Sequence, residues 1–218
     1  QFTKCLEVSD STDTGAFLEI ENTCGSGSSD FYDGNISTAS TKSWTMSFWY
    51  KSPSNSVPNS TSVSRYMAYF GRSWGLYLGT DGKFYLDNLY ISPEIVMPTG
   101  INLFDGNWHH VTFTWRHDSG GSTTASNYKT AANNATDPGS SLFIDGQPCT
   151  TTGWTAYHTL PPFIASDMGI AGYNPGVSSA IESVPGRYAH LAIETGAQVA
   201  ADASARYNSG VPTDLSST

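Results

Sequence analysis

From Trp108 to Arg116 the chain alternates with a period of two. His109, Val111, Phe113 and Trp115 fall on one side; Trp108, His110, Thr112, Thr114 and Arg116 fall on the other. Alternation with one apolar side predicts a half-buried antiparallel strand. Val111, Phe113 and Trp115 are then expected in the core, with Thr112 and Thr114 on the opposite face. Trp44 to Lys51 (WTMSFWYK) reads as a second strong strand, with Met46, Phe48 and Tyr50 on one face and Thr45, Ser47 and Trp49 on the other. Large residues on both faces predict burial on both, or an aromatic concave surface.

Three successive strands are predicted at Tyr66 to Phe70, Trp74 to Gly79 and Lys83 to Leu86, the last two joined by a tight hairpin at Asp81-Gly82. Phe17 to Ile20 supplies a first strand, and Pro93 and Pro98 bound a short extended piece. Met168 to Tyr173 and Arg187 to Ile193 complete the set. Asp145-Gly146 offers the positive φ angles of a hairpin turn after Ser141 to Ile144. Ser52 to Ser64 and Asp118 to Ser140 are rich in turn formers and read as loops, the second a surface excursion. Thr151 to Phe163 is a third loop, and it carries Trp154, Tyr157 and His158. Only Val199 to Tyr207 looks helical, with Gly210 just beyond its end. No internal repeat or linker divides residues 1–218. Short, evenly spaced strands with Gly and Asp-Gly turns predict a single all-β domain: a two-sheet antiparallel β-sandwich, of jelly-roll type, with one short C-terminal helix.

Gly106, Trp108, His109, His110 and Val111, followed by Leu142, Ile144, Asp145 and Gly146, reproduce a Gly-x-Trp-His-His-Val … Leu-x-Ile-Asp-Gly pattern. In this the chain resembles the laminin-G-like members of the concanavalin A-like superfamily. PGRYAHLAI (Pro185 to Ile193) and ARYNSGVPTDLS (Ala205 to Ser216) look like that family's last strand, short helix and closing tail. The resemblance runs from about Ala16 onward. Tails of this type are familiar from such domains in phage and virus structural proteins. The resemblance implies a surface or extracellular setting, glycan recognition, and in many members a calcium ion at the sheet rim. Ala189 stands where the family's last strand often has Asp, a departure that weakens any carry-over of acidic contacts there.

Charged residues make up only 13% of the chain, against about 25% in ordinary soluble domains. Ser, Thr, Asn and Gly supply the polarity instead. The net charge is −9 and the sequence pI about 4.7. With no basic run to displace counterions, nucleic acid is not an expected partner, and neither is an anionic membrane surface. No apolar run approaches the ~20 residues of a membrane span, so membrane insertion is not expected. The sequence starts at Gln1, as expected of a processed product or an excerpt of a longer chain. Cys5, Cys24 and Cys149 lack zinc-site spacing. They read either as a Cys5–Cys24 disulfide, which would contribute ~3 kcal/mol, or as three reduced thiols. Sequons at Asn35, Asn59 and Asn134 permit a secreted origin.

Asp-Gly occurs at Asp33, Asp81, Asp105 and Asp145. Each pair reads first as a tight turn, and calcium is the cation that such carboxylates would suit. His109 and His110 are adjacent in a strand and point to opposite faces, so they do not share a metal. The Glu-x-Asp-x-Glu string of the related glucanases is absent, as are Gly-x-Ser-x-Gly and His-Glu-x-x-His. No enzyme activity is expected. Trp154, Tyr157 and His158, with Trp74, are the candidate ligand contacts, because aromatic faces stack on sugar C–H surfaces; the competing reading packs them along the sandwich edge. The functional expectation is a non-enzymatic surface module, recognising a glycan or cell-surface polysaccharide or serving as an exposed structural subunit of a virus particle. The alternative is an extracellular adhesion or assembly protein that contacts other copies or capsid proteins. A divergent glycoside hydrolase stands last.

Overall fold

The computed structural model describes residues 5–8, 18–20, 44–53, 65–70, 74–79, 81–88, 94–115, 133–134, 137–138, 141–152, 168–170, 182–195 and 200–211. Its strands are β1 (Leu6–Val8), β2 (Leu18–Ile20), β3 (Trp44–Lys51), β4 (Arg65–Phe70), β5 (Trp74–Leu78), β6 (Phe84–Asn88), β7 (Glu94–Val96), β8 (Trp108–Trp115), β9 (Asn133–Asn134), β10 (Asp137–Pro138), β11 (Ser141–Ile144), β12 (Gln147–Pro148), β13 (Thr150–Thr152), β14 (Met168–Ile170), β15 (Glu182–Ser183) and β16 (Gly186–Thr195). Helix α1 (Ala200–Tyr207) follows them. One sheet has the order β1-β16-β3-β8-β11-β12 and the other β13-β7-β6-β5-β4-β14-β2, with β15 also on β4. The described pairings are antiparallel apart from β15 with β4. This is the two-sheet antiparallel sandwich with a short C-terminal helix that the alternation predicts. Among the described residues no helix is long and apolar enough to cross a membrane.

The core lies between the sheets. Met46, Phe48 and Tyr50 of β3 and Val111 and Phe113 of β8 meet Leu76, Leu78 and Phe84 of the second sheet. Tyr50 donates its hydroxyl to the Pro185 carbonyl at 2.8 Å, and Tyr188 donates to the Val184 carbonyl at 2.6 Å. Burial pushes both phenols above their ordinary pKa, so both remain donors.

Two irregularities keep apolar residues on the core side. Met67 is an extra residue in β4: Tyr66 pairs with Tyr77, and the next paired residue, Ala68, meets Leu76. This bulge puts both Met67 and Ala68 in the core. In β16, His190 and Leu191 together oppose Phe48, and His190 takes φ 50°. That extra residue lets Tyr188, Leu191 and Ile193 all pack on the core although their spacing is not strictly two.

The expectation of a half-buried β8 needs correction. Thr112 and Thr114 occupy the face opposite Val111 and Phe113, yet both are fully buried. Thr45, Ser47, Trp49 and His110 on that outer face are also buried. Part of the cover is α1, where Ala203 is fully buried and the Tyr207 ring lies 6.0 Å from Trp49. The polar atoms pair: the Thr45 and Thr114 hydroxyls are 3.0 Å apart. Both faces of β3 are buried, as its large residues predicted. The Trp115 side chain lies outside the described residues.

Other boundaries differ from the sequence reading. The opening of the predicted loop at Thr151 belongs to β13, which pairs with β7. Within Asp118 to Ser140, β9 and β10 pair as a separate two-stranded ladder, which places Asn134 on a short strand; residues 118–132, 135–136 and 139–140 lie outside the described residues. β1, which the sequence reading passed over, borders β16. Cys5 is an exposed free thiol, so the Cys5–Cys24 bridge is not formed, and Cys149 is a buried free thiol. Burial raises the Cys149 pKa to about 12. Cys24, Asn35 and Asn59 lie outside the described residues.

Phe113 joins both core and β8 packing, so Phe113→Ala should cost about 3–5 kcal/mol in urea unfolding. A loss near zero would contradict this core.

Candidate functional site

Two of the Asp-Gly turns converge on one histidine. Asp145 and Gly146 both have positive φ, 52° and 72°, and form the two-residue hairpin between β11 and β12. Asp105-Gly106 closes the loop ahead of β8, with Gly106 at φ 80° and its N–H donated to Ser52 Oγ at 3.0 Å. His109 lies between the two turns. Its Nδ1 is 2.7 Å from Asp145 Oδ2 and its Nε2 is 2.9 Å from Asp105 Oδ1. With a carboxylate on each ring nitrogen, the imidazolium satisfies both, because each nitrogen then donates. Burial works against that charge, but the bonds to Asp145 and Asp105 outweigh it and hold the His109 pKa above the ordinary value. Burial likewise works against the Asp105 charge, while bonds from Asn107 and His109 win and lower its pKa to about 2. Asp145 Oδ1 also accepts the His110 N–H at 2.8 Å. His110, on the other face beside Trp49, is held neutral by burial, with a pKa lowered to about 4. Two carboxylates thus favour the charged form of His109, while burial disfavours it in the adjacent His110.

These carboxylates, expected first as turn residues, also serve as bases for His109 and for backbone. Among the described residues no group of three or more His, Cys, Asp or Glu is placed to hold a metal ion. Asp33 lies outside the described residues, and so do Trp154, Tyr157 and His158. Trp74 begins β5, paired with Phe70 and Asn88, and its side chain is outside the described part. The described structure therefore brings none of these four side chains together.

It does assemble an aromatic row that the sequence reading missed. Tyr66 of β4, Tyr77 of β5 and Tyr85 of β6 are register partners across three neighbouring strands. They are half-buried and have opposite parity to the core residues Leu76, Leu78 and Phe84, so they lie on the outer face of the second sheet. Tyr66 and Tyr77 ring centroids are 5.4 Å apart; Tyr77 and Tyr85 are 5.3 Å apart and stacked at 19°. Two glycines let these rings lean low over the sheet. A Cβ on Gly75 would meet the Tyr66 ring at 2.4 Å, and one on Gly79 would meet the Tyr85 ring at 2.7 Å. The rim is polar. Tyr85 donates its hydroxyl to Asp81 Oδ2 at 2.6 Å, and the Lys83 N–H donates to Asp81 Oδ1 at 3.1 Å. The bond from Tyr85 lowers the Asp81 pKa, and the same bond raises that of Tyr85 to about 12. Lys83 Nζ lies 2.9 Å from Glu94 Oε2, and Glu94 is the next register partner of Tyr85. A cleft of about 210 Å³ opens beside this ion pair, lined by Phe84, Ile95, Met97 and Leu103. It falls below the ~300 Å³ at which small-molecule pockets begin.

A signal for the row exists in the sequence. Tyr77 and Tyr85 stand four residues either side of Asp81, so a hairpin at Asp81-Gly82 makes them cross-strand partners.

No family model matches this sequence, and no curated protein matches it. Solved structures of similar fold exist. A Trypanosoma rangeli sialidase superposes with a TM-score of 0.53 at 12% identity, over 90% of this chain and 28% of its own. The binding domain of Paraclostridial Mosquitocidal Protein 1 gives 0.51 at 11% identity, over 95% of this chain and 46% of its own. A heptameric SAP-like pentraxin from Limulus polyphemus reaches 0.46 at 17% identity, over 77% of this chain and 70% of its own. This chain spans less than half of the sialidase and of the mosquitocidal protein domain. At such identities the likeness is one of fold, that of a two-sheet antiparallel β-sandwich.

The His109 clamp has a pH signature. A raised His pKa contributes stability that is complete below the unfolded value of 6.5 and is lost as pH rises through the folded pKa. The depressed His110 works on the other limb: the unfolded state gains its proton first, so stability falls from about pH 6.5 toward 4. Asp105 adds stability above 3.8 that disappears as pH falls toward 2. Urea unfolding across pH should show both limbs. His109→Gln should remove the alkaline limb, keep the acid one, and cost about 1.5–3 kcal/mol for each charge-assisted bond lost. An unchanged alkaline limb would show that His109 is not held as an imidazolium.

Proposed function

We propose that this domain is a non-enzymatic glycan-binding module of laminin-G-like type, displayed extracellularly or on a virus surface, and that the Tyr66–Tyr77–Tyr85 row is its binding face. The row carries the reading. Aromatic faces offer apolar area to the C–H side of a sugar ring, and the Asp81, Lys83 and Glu94 rim supplies polar groups for hydroxyls. The glycine positions support it further, because the rings owe their low placement to Gly75 and Gly79. The β-sandwich fold, similar to that of a neighbour named as a binding domain, is compatible with this use. The non-enzymatic part rests on the sequence, which lacks the glucanase carboxylate string. The reading needs no calcium, since Asp81, Asp105 and Asp145 already serve Tyr85, His109 and backbone N–H groups.

A glycan array followed by calorimetry tests it. Tyr77→Ala should weaken binding at least about tenfold, or about 1.4 kcal/mol, with the thermal midpoint little changed. Trp154→Ala should have the smaller effect. A loss confined to Trp154→Ala would move the site to the Thr151–Phe163 loop. Failure to bind any glycan would end the reading, and cleavage of a bound glycan would restore the hydrolase alternative.

A further inference from the structure

We infer that the tyrosine row takes uncharged polysaccharide chains along their length and discriminates against acidic ones. This rests on the glycan-binding reading and adds the class of glycan.

The shape of the surface argues for an internal stretch of chain. Tyr66, Tyr77 and Tyr85 cross three strands in one register line. Their two centroid steps of 5.4 and 5.3 Å give a row of up to about 11 Å, slightly more than two strand spacings. Gly75 and Gly79 lie on the same face, in line with the strands, where side chains would otherwise stand up beside the rings. A low aromatic strip of this kind stacks on successive rings of a polymer. A terminal sugar, by contrast, is best gripped by a concave pocket that surrounds it.

The charge of the surface argues for a neutral ligand. Among the described residues of β4 to β7 and the β5–β6 hairpin, the cations are Lys83 and Arg65. Arg65 is buried and pairs with the core residue Leu78, opposite in parity to Tyr66. Lys83 is committed to Glu94. Asp81 remains as a carboxylate at the hairpin tip, and the Tyr85 and Lys83 bonds favour its ionised form. Carboxylates accept hydrogen bonds and donate none. They therefore suit the O–H donors of neutral sugars and oppose carboxylate or sulfate groups, which bring like charge and no donor. The net charge of −9 acts in the same direction at longer range. A sialic acid ligand, which the sialidase likeness would bring to mind, is disfavoured on this ground.

The test uses the full 218-residue chain in affinity electrophoresis and calorimetry. The probes are dextran, mixed-linkage β-glucan and galactomannan, each beside a carboxymethylated form of the same polymer, with sialyllactose as a short acidic sugar. At least one neutral polymer should bind, and its carboxymethylated form should bind at least about tenfold more weakly, with the gap narrowing as salt rises. Binding should be lost in Tyr77→Ala. Glu94→Gln, which releases the Lys83 ammonium, should narrow the gap between the two forms, and a melting curve confirms that it folds. Equal or tighter binding of the acidic polymers that still depends on Tyr77 would overturn this inference and leave the glycan reading standing. Preference for sialyllactose over every polymer would do the same. If no polymer or sugar binds, the glycan reading itself fails and the inference falls with it.

Discussion

The imidazolium of His109, held between Asp105 and Asp145, ties together parts of the chain that would otherwise meet only through the sheet. Asp105 belongs to the turn before β8, and Asp145 to the turn after β11. Asp145 also locks onto the His110 backbone in both directions, accepting its N–H and donating to its carbonyl. One ion thus fixes the end of the β8–β11 pair and the loop that feeds it. That loop carries Phe104 into the sandwich, where its ring stacks on Phe84 at 5.4 Å and meets Tyr50 edge-on at 6.3 Å. Phe84 is the neighbour of Tyr85 on β6. The clamp in the first sheet is therefore linked by packing to the strand that carries one end of the tyrosine row.

The two sheets use their outer faces differently. The first buries its outer face, in part under α1. Gly146 marks how close that helix comes, because a Cβ there would meet the Ser204 backbone at 2.7 Å. Threonine, serine and histidine are tolerated beneath this cover because they find partners, such as the Thr45–Thr114 hydroxyl pair. The second sheet carries the half-buried tyrosine rings on its outer face, seated over glycines and edged by charges, with Tyr69 buried beside them opposite Gly75.

Much of this was open to inspection in the sequence. The period-two runs at Trp44 to Lys51 and Trp108 to Trp115 announced two strands, and Asp145-Gly146 a hairpin turn; that the two strands pair came from the structure. The burial of Thr112 and Thr114 was hidden, because alternation reports which residues share a face and not what covers it. The cover comes in part from α1, more than 80 residues further along, and nothing local to β8 announces it. The convergence of Asp105 and Asp145 on His109 needed the register that pairs Ile144 with Val111. The candidate site was the least accessible part. Tyr77 and Tyr85 follow from their equal distance to Asp81. Tyr66 joins them only because the Met67 bulge reverses the parity of β4 between Tyr66 and Ala68. The row sits on regular strands, whereas Trp154, Tyr157 and His158 lie outside the described residues.

Ring-resolved NMR of tyrosine side chains, recorded while a neutral polysaccharide is titrated in, tests the central claim most directly. The account predicts that the ring signals of Tyr66, Tyr77 and Tyr85 shift together and saturate at one common concentration, while those of the core residues Tyr50 and Tyr188 stay in place. Saturable binding that leaves all three of those rings unmoved would contradict it.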